Sequence, residues 1–287
     1  MSLATAPGRP PLVTVITAVW NGGATLVRTL LSVLEQTHVP VEHVVVDGGS
    51  TDGSLELIRR WSPHLRYVTG PDRGIYDAMN KGLGLVTDPE SYVIFLNADD
   101  EFAGRDAVER ALRAAAGEDL VYGLLERFDA ELDYRDVIGC PVSPRDLVLG
   151  MKCQHQALLC RRRAFDRVGP FDLRYRIAAD YDWVVRAFLD SGLSRRHVPE
   201  VVAVMRRGGV SDRRYLSSVR ERWDIVRRHY PWPELLRYTA YTGFGDYLRY
   251  WTQQGLKRVG LLNRARDAKR ALLARRPGGT AGTGGLR

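Results

Sequence analysis

The chain has 287 residues, 45% of them hydrophobic and 26% charged, a composition that excludes a disordered, collagen-like or repeat-dominated protein. No apolar run approaches the roughly 18 residues of a membrane-spanning helix, and residues 1–11 lack a secretory signal pattern, so we expect a cytoplasmic protein. The three cysteines form no CxxC pair, which favours reduced core residues over a disulfide or zinc site. They are Cys140, Cys153 and Cys160.

The net charge of +8 is concentrated near the C-terminus. Residues 213–287 contain 17 Lys and Arg against 5 Asp and Glu, whereas residues 1–212 contain 25 against 29. No zinc-finger, RRM or helix-turn-helix pattern accompanies these basic residues, so we expect no nucleic-acid partner. A basic helical tail suits an anionic membrane surface equally well.

Four segments in the first hundred residues have the pattern of strands that end in polar residues: 12–21, 41–50, 65–74 and 91–100. Their continuous β-branched runs are typical of strands covered on both faces of a parallel sheet. Helical periodicity lies between them. One helix is predicted over 25–36, one after the capping residues 50–52, and one after Gly74 with Ile75 and Met79 facing inward. The alternating order predicts an open α/β sheet.

Polar residues end all four predicted strands, and ligands bind such sheets outside the carboxyl ends of the strands. We therefore expect these residues to converge on one crevice. Carboxylates gathered there repel one another unless a cation lies among them. Since Mg²⁺ takes one or two carboxylates plus substrate phosphates, a metal-bound diphosphate is the expected ligand. The residues are Asn21, Asp47, Asp72 with Arg73, and Asp99 with Asp100.

Five motifs follow in order at 14–21, 36–37, 47–53 (DGGSTDG), 71–82 (PDRGIYDAMNKG) and 96–100 (LNADD). Together they resemble the family 2 glycosyltransferases of GT-A fold, most closely the bacterial branch that includes colanic acid-type exopolysaccharide and glycolipid enzymes. The resemblance covers residues 12 to about 211. It implies an α/β, Rossmann-like fold with a mostly parallel central sheet, helices on both faces and a C-terminal helical extension.

The predicted organisation has four parts. A flexible N-terminus covers 1–11, and a GT-A domain covers 12–211, with a nucleotide-sugar half at 12–100 and an acceptor half at 101–211. A basic helical extension follows at 212–276, and 277–287 are expected to be disordered. Residues 256–276 have the pattern of a basic amphipathic helix. Both an anionic membrane and packing on protein explain that pattern, and we favour the membrane.

The resemblance implies donor-side roles for several residues. Asp47 would accept a hydrogen bond from the nucleotide base, with Thr17 and Asn21 lining the same pocket. Arg73 and Lys81 would lie near the ribose and diphosphate. Alternatively, Asp47 only caps a turn, and Lys81 only pairs with Asp77 four residues earlier.

The resemblance also implies a divalent cofactor, Mn²⁺ or Mg²⁺, held by the LNADD motif. Asn97 stands where many members have an aspartate, and an amide is a weaker metal ligand than a carboxylate. We therefore assign the metal to Asp100 first and to Asp99 second, with Asp99 also near the ribose.

On the acceptor side, Asp180 takes the position of the family's catalytic base, although Ala179 stands where many members have Glu. His155 and Asp182 are expected beside the acceptor, and 208–211 resemble a loop that closes over the diphosphate. A half-buried structural histidine explains His155 equally well. Tyr76 and Trp20 are expected to be core aromatics, although either could also stack on a sugar.

The sequence thus predicts an inverting, metal-dependent glycosyltransferase that uses a UDP-, GDP- or dTDP-sugar. The acceptor would be a saccharide or a lipid-linked sugar, and the protein could attach to the inner face of the membrane. A sugar-nucleotide pyrophosphorylase is disfavoured because residues 20–23 are too short and neutral for its phosphate loop. A membrane- or nucleic-acid-binding module with a vestigial nucleotide site is the other alternative.

Overall fold

The fold was analysed in a computed structural model, which describes residues 10–38, 40–129, 134–206 and 215–242. These residues form a nine-stranded sheet with helices packed against it. The strands are β1 (Val13–Val19), β2 (Val41–Asp47), β3 (Arg66–Thr69), β4 (Tyr92–Phe95), β5 (Glu101–Phe102), β6 (Leu120–Asp129), β7 (Tyr134–Ile138), β8 (Leu158–Arg161) and β9 (Arg195–Arg206). The helices are α1 (Gly23–Leu34), α2 (Ser54–Trp61), α3 (Ile75–Leu83), α4 (Ala107–Arg113), α5 (Arg162–Val168), α6 (Ala179–Leu189) and α7 (Tyr215–His229).

The sheet order is β3-β2-β1-β4-β8-β6-β9-β5, with β7 beside β6. The first four strands are parallel to one another, so their carboxyl ends meet at one edge of the sheet. Beyond β4 the pairing is mixed: β8 is antiparallel to both β4 and β6, whereas β6 and β9 are parallel. The parallel half therefore supplies the edge that the sequence predicted as a binding crevice.

Helices cover both faces of this sheet. Successive strand residues point to opposite faces, and Val15 and Ile16, both fully buried, belong to separate core clusters. The cluster containing Ile16 includes residues of α3, α5, α6 and α7. The cluster containing Val15 includes α4, and a third cluster joins α1 and α2. Burial on both faces explains the uninterrupted apolar runs of the parallel strands.

All four predicted strands form, and each is shorter than its sequence segment because the polar ends are loops. Three local expectations were wrong. Ile75, the first residue of α3, is 40% exposed, whereas Tyr76 and Met79 of this helix face inward. Trp20 is 71% exposed on the loop after β1, and Cys140 lies on the surface while Cys153 and Cys160 are buried.

The first part of the predicted basic extension is an integral part of the fold. Helix α7 buries Ile225 and Val226 completely, and residues 232–242 form a further helix that buries Tyr238. Within the four described ranges, no helix is long and apolar enough to cross a membrane. The expectations for 1–9, for the 208–211 loop, for the amphipathic 256–276 segment and for 277–287 lie outside the described residues.

Candidate active site

The loops that follow β1 and β2 are tied together by three hydrogen bonds. Asn21, in the left-handed region at φ 52°, donates its backbone N–H to Ser50 Oγ at 2.8 Å. Its side-chain Oδ1 accepts the Thr51 N–H at 2.9 Å, and the Gly48 N–H reaches the Val19 carbonyl at 2.8 Å. Asn21 therefore connects the two loops at the carboxyl ends of β1 and β2.

Asp47 and Thr17 are fully buried, and their side chains are hydrogen-bonded within the protein. Asp47 is fully buried and accepts hydrogen bonds from Thr69 Oγ1 at 2.7 Å and from the amides of the following turn at 3.2 Å. Thr17, also fully buried, lies 2.9 Å from His43 Nε2, and burial lowers the pKa of His43 to about 3. Both predicted donor contacts are thus engaged in holding β2 and its turn.

The Asp72 carboxylate lies against the backbone of Gly48, the residue after Asp47. A Cβ atom at Gly48 would lie 2.4 Å from Asp72 Oδ2, so glycine at this position makes room for the carboxylate directly above the turn. Asp72 Oδ1 accepts the Gly74 N–H at 2.8 Å, which fixes the side chain. The sequence predicts Asp72 in the crevice without a specific role.

Arg73 and Lys81 share one partner, Asp77. The Arg73 guanidinium lies 3.2 Å from Asp77 and the Lys81 ammonium 3.4 Å, while Lys81 also donates to the Pro71 carbonyl at 2.8 Å. Burial alone would raise the pKa of Asp77, but these bonds lower it below its ordinary value. Since 77% of the Arg73 side chain and 40% of the Lys81 side chain are exposed, both cations remain accessible beside the crevice.

The two aspartates after β4 have different surroundings. Asp99 is exposed, whereas Asp100 is 1% exposed and accepts a hydrogen bond from Gln156 Nε2 at 3.2 Å. Burial and the neighbouring charge of Asp99 raise the pKa of Asp100 to about 7. Partial loss of solvent around its carboxyl group also raises the pKa of Asp99. Accessibility therefore favours Asp99 over Asp100 as the residue that meets a ligand, the reverse of the order expected from sequence.

Three buried oxygen atoms around this motif have no hydrogen-bond partner: Asn97 Oδ1, Asp100 Oδ1 and Gln156 Oε1. Buried acceptors without partners are rare, and a bound cation would satisfy them. In the described parts of the chain, no cluster of three or more His, Cys, Asp or Glu could hold a metal alone. The residues therefore fit a Mg²⁺ or Mn²⁺ that takes its remaining ligands from a bound diphosphate.

Asp180, in the first turn of α6, and His155 form a partly buried pair. His155 Nδ1 lies 2.8 Å from Asp180 Oδ2, while Asp180 Oδ1 lies 2.9 Å from the Tyr76 hydroxyl and accepts the Tyr181 N–H at 2.8 Å. Burial alone would raise the pKa of Asp180, but His155 and the other donors lower it below its ordinary value. His155 Nε2 lies 3.4 Å from Asn97 Nδ2, so this pair is continuous with the strand-end motif.

The structure separates Asp182 from this group. Asp182 is 2% exposed and binds Arg186 at 2.8 Å and His229 of α7 at 2.9 Å, on the side of α6 that faces the core. It therefore does not join the acceptor side. Tyr76 and Gln156 do belong to the site. The sequence indicates Tyr76 only as a core aromatic or sugar-stacking ring and indicates no role for Gln156, because their hydrogen-bond partners are distant in the chain.

An open sheet whose parallel half ends in these carboxylates has the architecture of the GT-A glycosyltransferases, and solved structures of that class share the fold. A mannosyltransferase of Pyrobaculum calidifontis, solved with GDP-Man and Mn²⁺, superposes with a TM-score of 0.61 at 21% identity over 96% of this chain and 78% of its own. TarS of S. aureus gives a TM-score of 0.60 at 15% identity over 81% of this chain and 44% of TarS. This chain thus spans less than half of full-length TarS.

The sequence comparisons define the family. The chain belongs to glycosyl transferase family 2, whose pattern it matches over residues 14–168. A PGL/p-HBAD biosynthesis glycosyltransferase of Mycobacterium bovis is 35% identical over 211 residues, covering 70% of this chain and 80% of that protein. An uncharacterised glycosyltransferase of Mycobacterium tuberculosis is 34% identical over 186 residues, covering 62% and 70% respectively. The protein is a glycosyltransferase.

Proposed function

We propose that the protein is an inverting, divalent-metal-dependent glycosyltransferase that moves a sugar from a nucleoside diphosphate to a hydroxyl group. The observation that carries this proposal is the contact series from Asp180 through His155 to Asn97. These contacts join Asp180, the candidate base, to the motif that is the candidate diphosphate site. The longer of the two contacts, between His155 and Asn97, is 3.4 Å. Transfer by direct displacement requires those two functions to be held in line on either side of the sugar.

Asp180 serves as the general base in this proposal. Its pKa lies below the ordinary value, so it is ionised near neutral pH and able to accept the proton of the attacking hydroxyl. His155 and Tyr76 fix both carboxylate oxygens and thereby orient the group. Attack from the side opposite the leaving group inverts the anomeric centre and needs no covalent enzyme intermediate.

We assign the diphosphate and metal to the LNADD motif, with Asp99 as the first protein ligand and Asp100 behind it. A bound Mn²⁺ or Mg²⁺ would offset the charge that develops on the departing diphosphate. Arg73 and Lys81, both accessible beside the crevice, add positive charge on the same side. The Mn²⁺ in the Pyrobaculum calidifontis complex supports a metal in this fold.

For recognition of the base we propose Asp72 in place of Asp47. Asp72 lies over Gly48 at the crevice, whereas every polar contact of Asp47 stays within its own turn and β3. Related folds bind UDP, UDP-GlcNAc or GDP-Man, and these complexes support a nucleotide-sugar donor of the UDP-, GDP- or dTDP-linked class.

The proposed acceptor is a saccharide or lipid-linked sugar in polysaccharide or glycolipid synthesis, at the cytoplasmic face of the membrane. Relatives named for PGL/p-HBAD biosynthesis support this acceptor class. The basic tail supports attachment to an anionic surface.

The test measures Mn²⁺- and Mg²⁺-dependent turnover of UDP-, GDP- and dTDP-sugars by the native protein and by Asp99→Asn and Asp100→Asn. We expect Asp99→Asn to lower metal-dependent turnover by about 100-fold or more, since the metal contributes several kcal/mol to the transition state. Asp166→Asn is the matched control, because Asp166 is 57% exposed and pairs with Arg162 within α5.

Equal turnover by native protein and both variants, or full activity in EDTA, would refute the metal site. Absence of turnover with every donor in the panel would refute the proposed donor class. A larger loss in Asp100→Asn than in Asp99→Asn would restore the sequence-based order of the two ligands.

A further inference from the structure

Helix α7 holds the segment that leads into Asp180 through one carboxylate. Glu221 Oε1 accepts the Arg176 N–H at 3.0 Å, and Oε2 accepts the N–H groups of Ile177 and Ala178, each at 2.9 Å. Three consecutive amides therefore point at one side chain from a different element. Asp180 follows two residues later, in the first turn of α6.

The same segment is held from its other side by the residue that contacts the base. The Tyr76 hydroxyl lies 2.7 Å from the Ile177 carbonyl and 2.9 Å from Asp180 Oδ1. The Ile177 residue thus joins Glu221, through its N–H, to Tyr76, through its carbonyl. Burial and the charge of Asp180 raise the pKa of Tyr76, so its hydroxyl stays protonated and available as a donor.

A carboxylate suits this position for two reasons. Three convergent N–H groups need an acceptor with several lone pairs, and hydrogen bonds to an ionised acceptor are stronger than those to a neutral one. Negative charge is also favourable near a helix N-terminus, here that of the eleven-residue α6. The buried Ile225 and Val226 anchor α7 one turn further on, so Glu221 is presented from a fixed helix.

We propose that Glu221 is a positioning residue for Asp180, fixing the 176–178 backbone so that the carboxylate faces the acceptor hydroxyl. The inference deepens the proposed function and rests on Asp180 being the base. Both α7 and this segment lie beyond residues 14–168, the part of the chain that matches the family. The C-terminal extension would therefore complete the catalytic site, in addition to any role in attachment to the membrane.

The experiment is a double-mutant cycle with Glu221→Ala and Asp180→Asn, measured as kcat and donor KM on a soluble acceptor analogue. We expect Glu221→Ala to lower kcat by about 10- to 100-fold with donor KM nearly unchanged, because a displacement of about 1 Å can cost that much. In the Asp180→Asn background the same substitution should cost less than about threefold, since the group it positions is already lost. Glu221→Gln, which keeps an oxygen for two of the three amides, should recover part of kcat.

Asp224→Ala is the matched control, because it should also weaken the packing of α7 against the rest of the protein. Asp224 lies one turn further along the helix and contacts the Tyr175 hydroxyl at 2.9 Å, next to the segment that Glu221 holds. We expect it to lower the melting temperature about as much as Glu221→Ala while keeping kcat within about threefold of native. Circular dichroism at the assay temperature establishes that every variant compared is folded.

The outcomes separate the two proposals. Native-like kcat in Glu221→Ala, losses that multiply across the cycle, or an equal loss of kcat in Asp224→Ala would each overturn the positioning role while leaving Asp180 as the base. Native transfer by Asp180→Asn alone would refute the base itself. A loss that appears only in donor KM would place Glu221 on the donor side and also overturn the inference.

Discussion

At the residue scale, Asp180 and Asp182 show how two carboxylates on one turn of helix acquire different roles. Asp180 faces His155 and Tyr76, whereas Asp182 is paired with Arg186 and His229 inside the core. The resemblance to family 2 glycosyltransferases placed both of these acids on the acceptor side. Because α6 turns by about 100° per residue, the two side chains point to different neighbours.

Asp180→Asn tests the base directly. We expect kcat for transfer to fall by about 100-fold or more with donor affinity nearly unchanged, because asparagine keeps the shape and one accepting oxygen but cannot take up the proton. Transfer rates and donor Kd measured on the same preparation check this.

Asp182→Asn is the control for that experiment. Loss of charge in a buried ion pair should lower the melting temperature, while kcat of the folded enzyme stays within about threefold of native. A native rate in Asp180→Asn, or an equal loss of kcat in folded Asp182→Asn, would contradict this division of roles.

At the element scale, the position of α3 depends on the absence of a side chain. A Cβ atom at Gly82 would lie 2.5 Å from Ile16 Cγ2 of β1 and 3.2 Å from Val46 Cγ2 of β2. Glycine therefore allows α3 to pack directly against both strands. That close approach places Tyr76, on the same helix, within reach of Asp180.

Gly82→Ala should reduce the free energy of unfolding by about 1–3 kcal/mol through overpacking. Gly84→Ala is the matched control, because Gly84 has helical dihedral angles and its added Cβ would lie 3.4 Å from the nearest atom. We expect Gly84→Ala to change stability by less than about 1 kcal/mol in either direction. Urea denaturation of both variants measures the difference, and equal effects would show that close packing at Gly82 is not important.

Local sequence patterns predicted most of the strands and helices but not how they pair and pack with one another. The runs 44–46 and 93–96 marked β2 and β4 because strands buried on both faces need apolar residues throughout. Ile75 was misplaced because a helix start beside a crevice does not need an inward apolar residue at its first position. The mixed half of the sheet, with β8 between β4 and β6, depends on pairing between distant segments that no local period encodes.

At the scale of the whole molecule, the C-terminal region combines a structural part with an exposed apolar part. Helix α7 is packed into the core, whereas Trp232 and Leu236, four residues apart on the following helix, are 67% and 51% exposed. Exposed tryptophan and leucine ahead of a strongly basic segment suit the interface of an anionic membrane.

A full-length variant with Lys257, Arg258, Lys269 and Arg270 changed to glutamine tests that attachment. Since each basic residue near anionic headgroups contributes roughly 1 kcal/mol, binding to phosphatidylserine-containing vesicles should fall by at least 100-fold. Turnover on a soluble acceptor should be nearly native. Arg59 and Arg60, changed to glutamine on α2, provide the charge control, and vesicle sedimentation gives the affinities. Unchanged binding would favour packing of the tail on protein.

The sequence by itself determined the alternation of strands and helices, the acidic strand ends and the family, because those depend on residue types and spacings along the chain. Only the tertiary structure decided which of the polar residues face one another. His155 meets Asn97 from 58 residues away, and Glu221 meets the segment before Asp180 from more than 40 residues away. Such contacts follow from how separate elements pack, so buried Asp47, Thr17 and Asp182 could be told from accessible Asp72 and Asp99 only in three dimensions.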